Sequence, residues 1–421
     1  VEKAAAISPS RRAAFAILEQ VGSSSAHADD LLHGPALEGL SQVDRNLATA
    51  LVLGVLRWQI ALDAELLPLL QRPDQRLASP VATALRLGAF QLRHMDRIPD
   101  HAAISESVEL VRASGNPHAA GMVNALLRNL QRAQAPKPKL FETPAAFAQR
   151  LGHPRWLVER WVKHYGREAA LKICESYQIE PSVDQLFVHD QEGVRLPAVD
   201  AGSRLVAELA AASVAAPQRI WDCCAAPGGK TIVLAMRHPQ ATLLATDVQP
   251  RRLAALKLRL AAAAPAVTVF QADAMKLSEQ EGLFDLILCD VPCSGTGTLG
   301  RNPEVRHRLA PAELGRQATR QREILTAALQ RLAPGGRLLY STCSLEPEEN
   351  EQVVMAVLEK LPPMAGIRQQ PLEPVLDSLR AAGLLAADAA LDGVLREGCL
   401  RTLPGANFAG DGFFAALFAR E

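Results

Sequence analysis

From about residue 8 to residue 135, apolar side chains recur at helical spacing. The runs Arg11–Leu18 and Arg45–Trp58 place Ala, Ile, Leu and Val at i, i+3, i+4 and i+7, which is the stripe of a helix buried along one side. Further helical runs cover 85–92, 105–114 and 119–132, and Gly115-Asn116-Pro117 is a stop signal between the last two. Residues 133–139 (Ala-Gln-Ala-Pro-Lys-Pro-Lys) have the composition of a linker, and a short helical segment follows from Pro144 to about Tyr177. There is no fixed repeat period. From Gln218 onward the pattern changes. Short apolar runs rich in β-formers (219–222, 241–247, 266–273, 284–290 and 336–342) alternate with helical stretches such as 251–263 and 311–332. Buried-type strands alternating with helices predict a parallel α/β sheet, and 412–418 is expected as a last strand near its edge. The expected division is a helical domain over 1–135, a connecting segment over 140–210 and an α/β domain over 211–421.

Composition narrows this only a little. At 421 residues, with 48% hydrophobic and 21% charged, the chain has material for two or three globular domains. No apolar run reaches the roughly 18 residues of a membrane span, and no secretory pattern opens the chain. The expectation is therefore a cytoplasmic protein, monomeric and without a membrane partner. The first residue is Val1 rather than Met, so the start is expected to have been trimmed or processed. Lys and Arg number 45, as do Asp and Glu, so any nucleic-acid surface must come from local basic patches. Seven cysteines make an odd count without a disulfide framework, which fits free thiols in a reducing compartment. With no CxxC and no close His pair, no metal site is expected.

The first strand runs into Asp222-Cys223-Cys224-Ala225-Ala226-Pro227-Gly228-Gly229-Lys230-Thr231 and then a helix. Glycines let backbone approach a ligand there, and the helix start offers unpaired N–H donors. A phosphate-binding loop would need Gly at 224, although Gly229-Lys230-Thr231 already matches and 286–290 could serve as its second motif. The rival is a nucleoside site. Asp247 ends the second strand eighteen residues after Gly229, a spacing suited to ribose hydroxyls. Asp273 ends the third strand within reach of an adenine edge, and Asp290 ends the fourth. Each Asp alone could be a strand-end turn. In series they would repel a triphosphate without magnesium but suit a cofactor carrying a sulfonium cation.

Two thiols stand at the ends of consecutive strands, in Asp290-Val291-Pro292-Cys293-Ser294-Gly295-Thr296-Gly297 and in Ser341-Thr342-Cys343-Ser344. Cys174, Cys223, Cys289 and Cys399 read as small buried hydrophobes. Carbon 5 of a cytosine is a poor nucleophile until a thiolate adds to carbon 6, and a base must then remove the carbon-5 proton. An acid near ring nitrogen 3 would stabilise the adduct, and Asp290 is placed for this. Chemistry alone leaves open which thiol attacks; a Pro-Cys after strand four is the nucleophile of DNA cytosine-5 methyltransferases.

Taken together, the motifs at 222–231, 290–297 and Tyr340–Glu351 resemble the RNA 5-methylcytosine methyltransferases of the NOL1/NOP2/Sun type. The helical N-terminal third resembles the NusB fold, and Arg155–Trp161, Leu400–Pro404 and Asp411–Ala415 extend the likeness over nearly the whole chain. The combination is similar to the bacterial members that act on 16S ribosomal RNA. The resemblance implies a Rossmann-like class I methyltransferase domain with a mainly parallel seven-stranded sheet, preceded by an all-α RNA-binding domain. It implies S-adenosyl-L-methionine as cofactor, held by Cys224, Ala225, Ala226, Pro227, Gly228, Gly229, Lys230, Asp247, Arg252, Asp273, Ala274 and Asp290. It also implies Cys343 as nucleophile and Cys293 as helper of product release, with Asp290 and Lys230 beside them. Between Tyr177 and Leu209 the family carries a longer RNA-recognition-like segment, here reduced or lost. Finally, Arg301, Arg306, His307, Arg308, Arg316, Arg320 and Arg322 outnumber the acids around them. Arg301, Arg306 and Arg308 are the expected phosphate contacts for RNA. Two rivals stay open: a nucleotide hydrolase, which requires magnesium-dependent ATP turnover, and a non-catalytic RNA-binding factor, for which two retained thiols have no use.

Overall fold

The N-terminal helices form where the apolar spacing predicts them. The computed structural model describes residues 7–72, 76–134, 137, 142–180, 186–188, 200–360 and 366–421. It divides into two units, Val1–Glu180 with Leu299–Arg308 and Pro181–Thr298 with Leu309–Glu421. Residues 135–136 and 138–139 of the expected linker, and 181–185 and 189–199 of the shortened segment, lie outside the described residues.

In the first unit, α1 (Pro9–Ser23), α2 (Ala28–Leu32), α3 (Gln42–Leu66), α4 (Ser79–His94), α5 (Asp100–Ala113) and α6 (Ala120–Arg132) surround a core that includes Ile17, Leu51, Val55, Leu87, Val111 and Leu127. The Ser41 hydroxyl caps α3 by accepting from the Asp44 amide at 3.1 Å. The stretch Gln42–Leu69 is long and apolar enough to cross a membrane, but its apolar positions are those of a core helix. Then come α7 (Pro144–Arg150), α8 (Arg155–Tyr165) and α9 (Arg167–Ser176). Trp161 of α8 is buried with His153 and Tyr177, at ring-centroid distances of 6.0 and 5.9 Å. Burial keeps the His153 imidazole neutral, and its Nδ1 binds the Leu151 carbonyl at 2.6 Å. The run Arg155–Trp161 thus serves packing within the helical unit.

The second unit begins with α10 (Ala201–Ala212), capped by Asp200. It continues through β1 (Arg219–Asp222), α11 (Gly229–Arg237), β2 (Thr242–Asp247), α12 (Pro250–Ala263), β3 (Thr268–Gln271) and β4 (Phe284–Asp290). After α13 (Val305–Arg308), which belongs to the helical unit, follow α14 (Pro311–Gln330), β5 (Leu332–Thr342), α15 (Glu351–Leu358), β6 (Ile367–Gln370), α16 (Glu373–Ala381), β7 (Leu395–Arg396), β8 (Cys399–Arg401) and β9 (Phe414–Arg420). Strands β3-β2-β1-β4-β5 are parallel in that order, and β9 joins β5 antiparallel. The seven expected strands correspond to β1–β6 and β9, with β7 and β8 as a short added pair. Alternate residues feed two faces. Ile220, Leu286 and Leu339 pack toward α10, α11 and α12, while Trp221, Ile287 and Tyr340 pack toward α14 and α15. β9 lies near the edge, as expected: β5 pairs with one side of it, and the outlying strands β6 and β8 with the other. An almost wholly apolar run such as Phe413–Ala419 demands burial on both faces.

The segment Leu299–Arg308 overturns one expectation. Arg306 is 2% exposed. Its Nη1 donates to the carbonyls of Arg57 and Gly152, both at 2.9 Å, and its Nη2 to that of Leu299 at 3.1 Å. Burial lowers its pKa to about 9. Nearby, Arg57 donates to the Gly300 carbonyl at 2.9 Å and His307 to that of Leu56 at 2.7 Å. Arg308 is exposed, yet its Nη2 donates to the carbonyls of Val21 and Ala26, both at 2.8 Å. Arg306 therefore cannot grip RNA phosphate, and Arg308 is engaged with backbone; a count of arginines does not separate the two uses. Replacing Arg306 by Ala leaves buried carbonyls unpaired, so stability is expected to fall by about 3 kcal/mol. Urea unfolding measures this, and an unchanged midpoint would refute the assignment.

Candidate active site

The loop after β1 is anchored on both neighbouring strands. The Cys223 amide donates to the Leu288 carbonyl at 3.1 Å and the Ala225 amide to that of Thr246 at 2.9 Å. Thr246 Oγ1 links the Trp221 indole N–H (3.0 Å) to the Cys223 carbonyl (3.2 Å). At Gly228, φ is +103°, and a Cβ would lie 2.7 Å from Leu256 Cδ1, so only glycine fits. This glycine is thus required by the turn and by α12, whatever ligand lies beyond it. The free amides of the first turn of α11 follow directly.

Acids stand along the carboxyl ends of adjacent strands. Asp222 and Asp290 end β1 and β4, Asp247 ends β2, and Asp273 lies two residues past β3, accepting from the Met275 amide at 3.0 Å. Asp247 is buried, accepts from the Gln249 amide at 2.9 Å and lies 3.8 Å from Arg252. Arg252 also donates to the Ala226 carbonyl at 2.6 Å. Ala274 is buried at the turn after Asp273. Lys230 Nζ sits 2.7 Å from Asp290 Oδ2, whose Oδ1 accepts from Ser341 at 2.7 Å. Burial lowers the Lys230 pKa, but the charge and hydrogen bond of Asp290 outweigh it and raise it overall.

Beside this pair, Cys293 Sγ and Cys343 Sγ are 3.3 Å apart. That is far beyond a disulfide bond length, so both are free thiols. Hydrogen bonding to Cys343, burial and the neighbouring charges push the Cys293 thiol well up from its usual range. Cys174, Cys223, Cys289 and Cys399 are buried, the last three among the apolar side chains packed under α14 and α15.

This arrangement of motifs is matched by known proteins. Residues 212–419 match the family described as 16S rRNA methyltransferase RsmB/F, and residues 8–132 match the NusB family. The ribosomal RNA small subunit methyltransferase B of Xanthomonas campestris pv. campestris is 33% identical over 393 residues, covering 83% of this chain and 86% of that protein. The enzyme of the same name from Citrobacter koseri is 33% identical over 370 residues, covering 78% and 85%. The chain belongs to the RsmB/F methyltransferase family.

The fold agrees: the crystal structure of PH0851 superposes with a TM-score of 0.72 at 22% identity, covering 99% of this chain and all of that one. Members of the RsmB/F family use S-adenosylmethionine. The side chains present suit it, since a row of carboxylates with the loop's own cation already bound to Asp290 favours a cationic nucleoside over a polyphosphate.

The residues that hold the two thiol loops together were not singled out in the sequence. Glu349 is fully buried and accepts from the Ser294 amide at 2.8 Å, from the Ser294 and Ser344 hydroxyls, and from Gln321 Nε2 at 3.0 Å. Asn350 accepts from Thr342 Oγ1 at 2.6 Å and donates to the Ser344 carbonyl at 2.9 Å. In sequence, Glu349 and Asn350 stand only as part of the Tyr340–Glu351 motif, and that place beside Cys343 was the available signal. A close approach adds a further lock. The Gly297 amide donates to the Cys343 carbonyl at 2.9 Å, and a Cβ on Gly297 would meet the Gly412 carbonyl at 2.1 Å.

Asp222 is 1% exposed, and burial pushes its carboxyl up to about 7, against the hydrogen bond from Thr231 at 2.7 Å. A carboxyl whose folded pKa is raised stabilises the fold only while protonated, so its contribution is lost as pH climbs from about 4 to about 7. Asp222→Asn should therefore gain stability relative to the parent between pH 5 and pH 8, measured by chemical denaturation. A constant difference would contradict the shift.

Proposed function

We propose that the protein methylates carbon 5 of a cytosine in 16S ribosomal RNA, through a transient bond between Cys343 Sγ and carbon 6 of the base. The observation that carries this reading is the 3.3 Å approach of two free thiols beside the Lys230–Asp290 pair. When bound, S-adenosylmethionine supplies an electrophilic methyl group on a sulfonium. Its holders would be Cys224–Lys230 and Arg252 at the loop, Asp247 for the ribose hydroxyls, Asp273 and Ala274 for the adenine edge, and Asp290.

Addition of the Cys343 thiolate at carbon 6 makes carbon 5 nucleophilic. The proton that the Cys343 thiol gives up on ionising would be taken by the Asp290 carboxylate, which Lys230 and Ser341 hold in place, and passed to ring nitrogen 3. Bonding of Cys343 to the base removes the neighbour that most strongly holds the Cys293 proton. Cys293 can then lose its proton to solvent and, as thiolate, take the proton from carbon 5; the carbon 5–carbon 6 double bond re-forms, the Cys343 thiolate leaves, and ring nitrogen 3 returns its proton to Asp290. Among the basic residues expected to meet RNA, the surface residue Arg301 is retained as a phosphate contact.

The test is to incubate Cys293→Ala with 16S ribosomal RNA and S-adenosylmethionine and to separate the products under denaturing conditions. A protein–RNA adduct should accumulate in this variant, and Cys343→Ala should lose the adduct and about a thousandfold or more of the methylation rate. Intact methylation by Cys343→Ala would overturn the nucleophile, and an active Cys293→Ala without adduct would overturn its role in release.

A further inference from the structure

Resting on that reading, we infer that Glu349 is a positioning residue for product release: it holds the Cys293 loop against Cys343 more than it holds Cys343 itself. The two thiols are supported unequally. Cys343 follows the end of β5 directly, and its loop has anchors besides Glu349. The Ser344 amide donates to Thr342 Oγ1 at 3.2 Å and the Leu345 amide to Thr296 Oγ1 at 2.9 Å. The Ser344 carbonyl accepts from Asn350 Nδ2 at 2.9 Å, and the Cys343 carbonyl from the Gly297 amide at 2.9 Å.

Cys293 lies three residues past β4, in an irregular stretch between Val291 and the turn at Thr296–Thr298. Its neighbour Ser294 is pinned to Glu349 twice, through the amide at 2.8 Å and through the hydroxyl. Gln321 of α14 completes the clamp, reaching Glu349 at 3.0 Å and the carbonyl of Pro292 at 2.9 Å. Donors from three elements thus converge on one buried carboxylate, and two of its four bonds go to the residue after Cys293. An amide at 349 could keep these contacts, because the serine hydroxyls can accept as well as donate, but an apolar side chain accepts from none of them. Ser294, beside Cys293, then loses both of its bonds to residue 349, while the bonds at Thr296 and Gly297, further along that loop, and the anchors of Cys343 remain.

A merely structural role would lower attack and release together. The positioning role separates them. Glu349→Leu, with both cysteines intact, should form the covalent RNA adduct and release it slowly. The denaturation-resistant complex should accumulate as it does in Cys293→Ala, with kcat about tenfold or more below the parent and KM for RNA within about threefold. Ser294→Ala, a smaller change that removes one of the donors, is measured alongside and decides the matter if Glu349→Leu does not fold.

Unchanged turnover in the folded variant, or lowered turnover with no adduct above the parent's, overturns the inference. Cys293→Ala in the same gel keeps the two levels apart. Adduct there but not in the Glu349 or Ser294 variants leaves the covalent reading standing and removes Glu349 from release. Methylation by Cys343→Ala, run alongside, removes the covalent reading itself.

Discussion

Parallel pairing of β4 with β5, with Asp290 opposite Ser341, is the constraint on which the site depends. Two adjacent parallel strands end side by side, so whatever follows them emerges at the same rim. The register sets Ser341 against Asp290 and leaves Cys343 two residues further on, where the loop after β4 turns Cys293 back to meet it. A shift of one residue would send these side chains to opposite faces of the sheet.

Holding two sulfur atoms that close calls for more than strand ends. The second device is a buried polar network whose members are Glu349, Ser294, Ser344, Gln321, Thr342 and Asn350. A carboxylate out of water is tolerable only when donors surround it, and burial raises its pKa even so. The same logic appears in the helical unit, where Arg306 is buried against carbonyl oxygens. In both places a charge is used as a hub for irregular backbone.

Much of this was legible beforehand. Strand–helix alternation located β1 to β5 to within a few residues, because buried parallel strands read as short apolar runs and their ends as Asp. The N-terminal helices followed from spacing alone. The burial of Arg306 was not legible. Charge and hydropathy report what a side chain is, and neither tells whether a guanidinium meets phosphate or backbone carbonyls. Glu349 was hidden for the same reason, as an acid among acids in a turn-like stretch that folding takes out of solvent.

By itself the amino-acid sequence determined the local terms: helical and strand periodicity, the glycine at 228 that alone tolerates φ of +103°, and the presence of two cysteines in separate motifs. Only the tertiary structure decided that Cys293 and Cys343, fifty positions apart, lie 3.3 Å from each other, and which charges between them are buried. The physical reason is range. Periodicity and turn preference act over a few residues, whereas strand register and burial depend on segments that meet only when the sheet has formed.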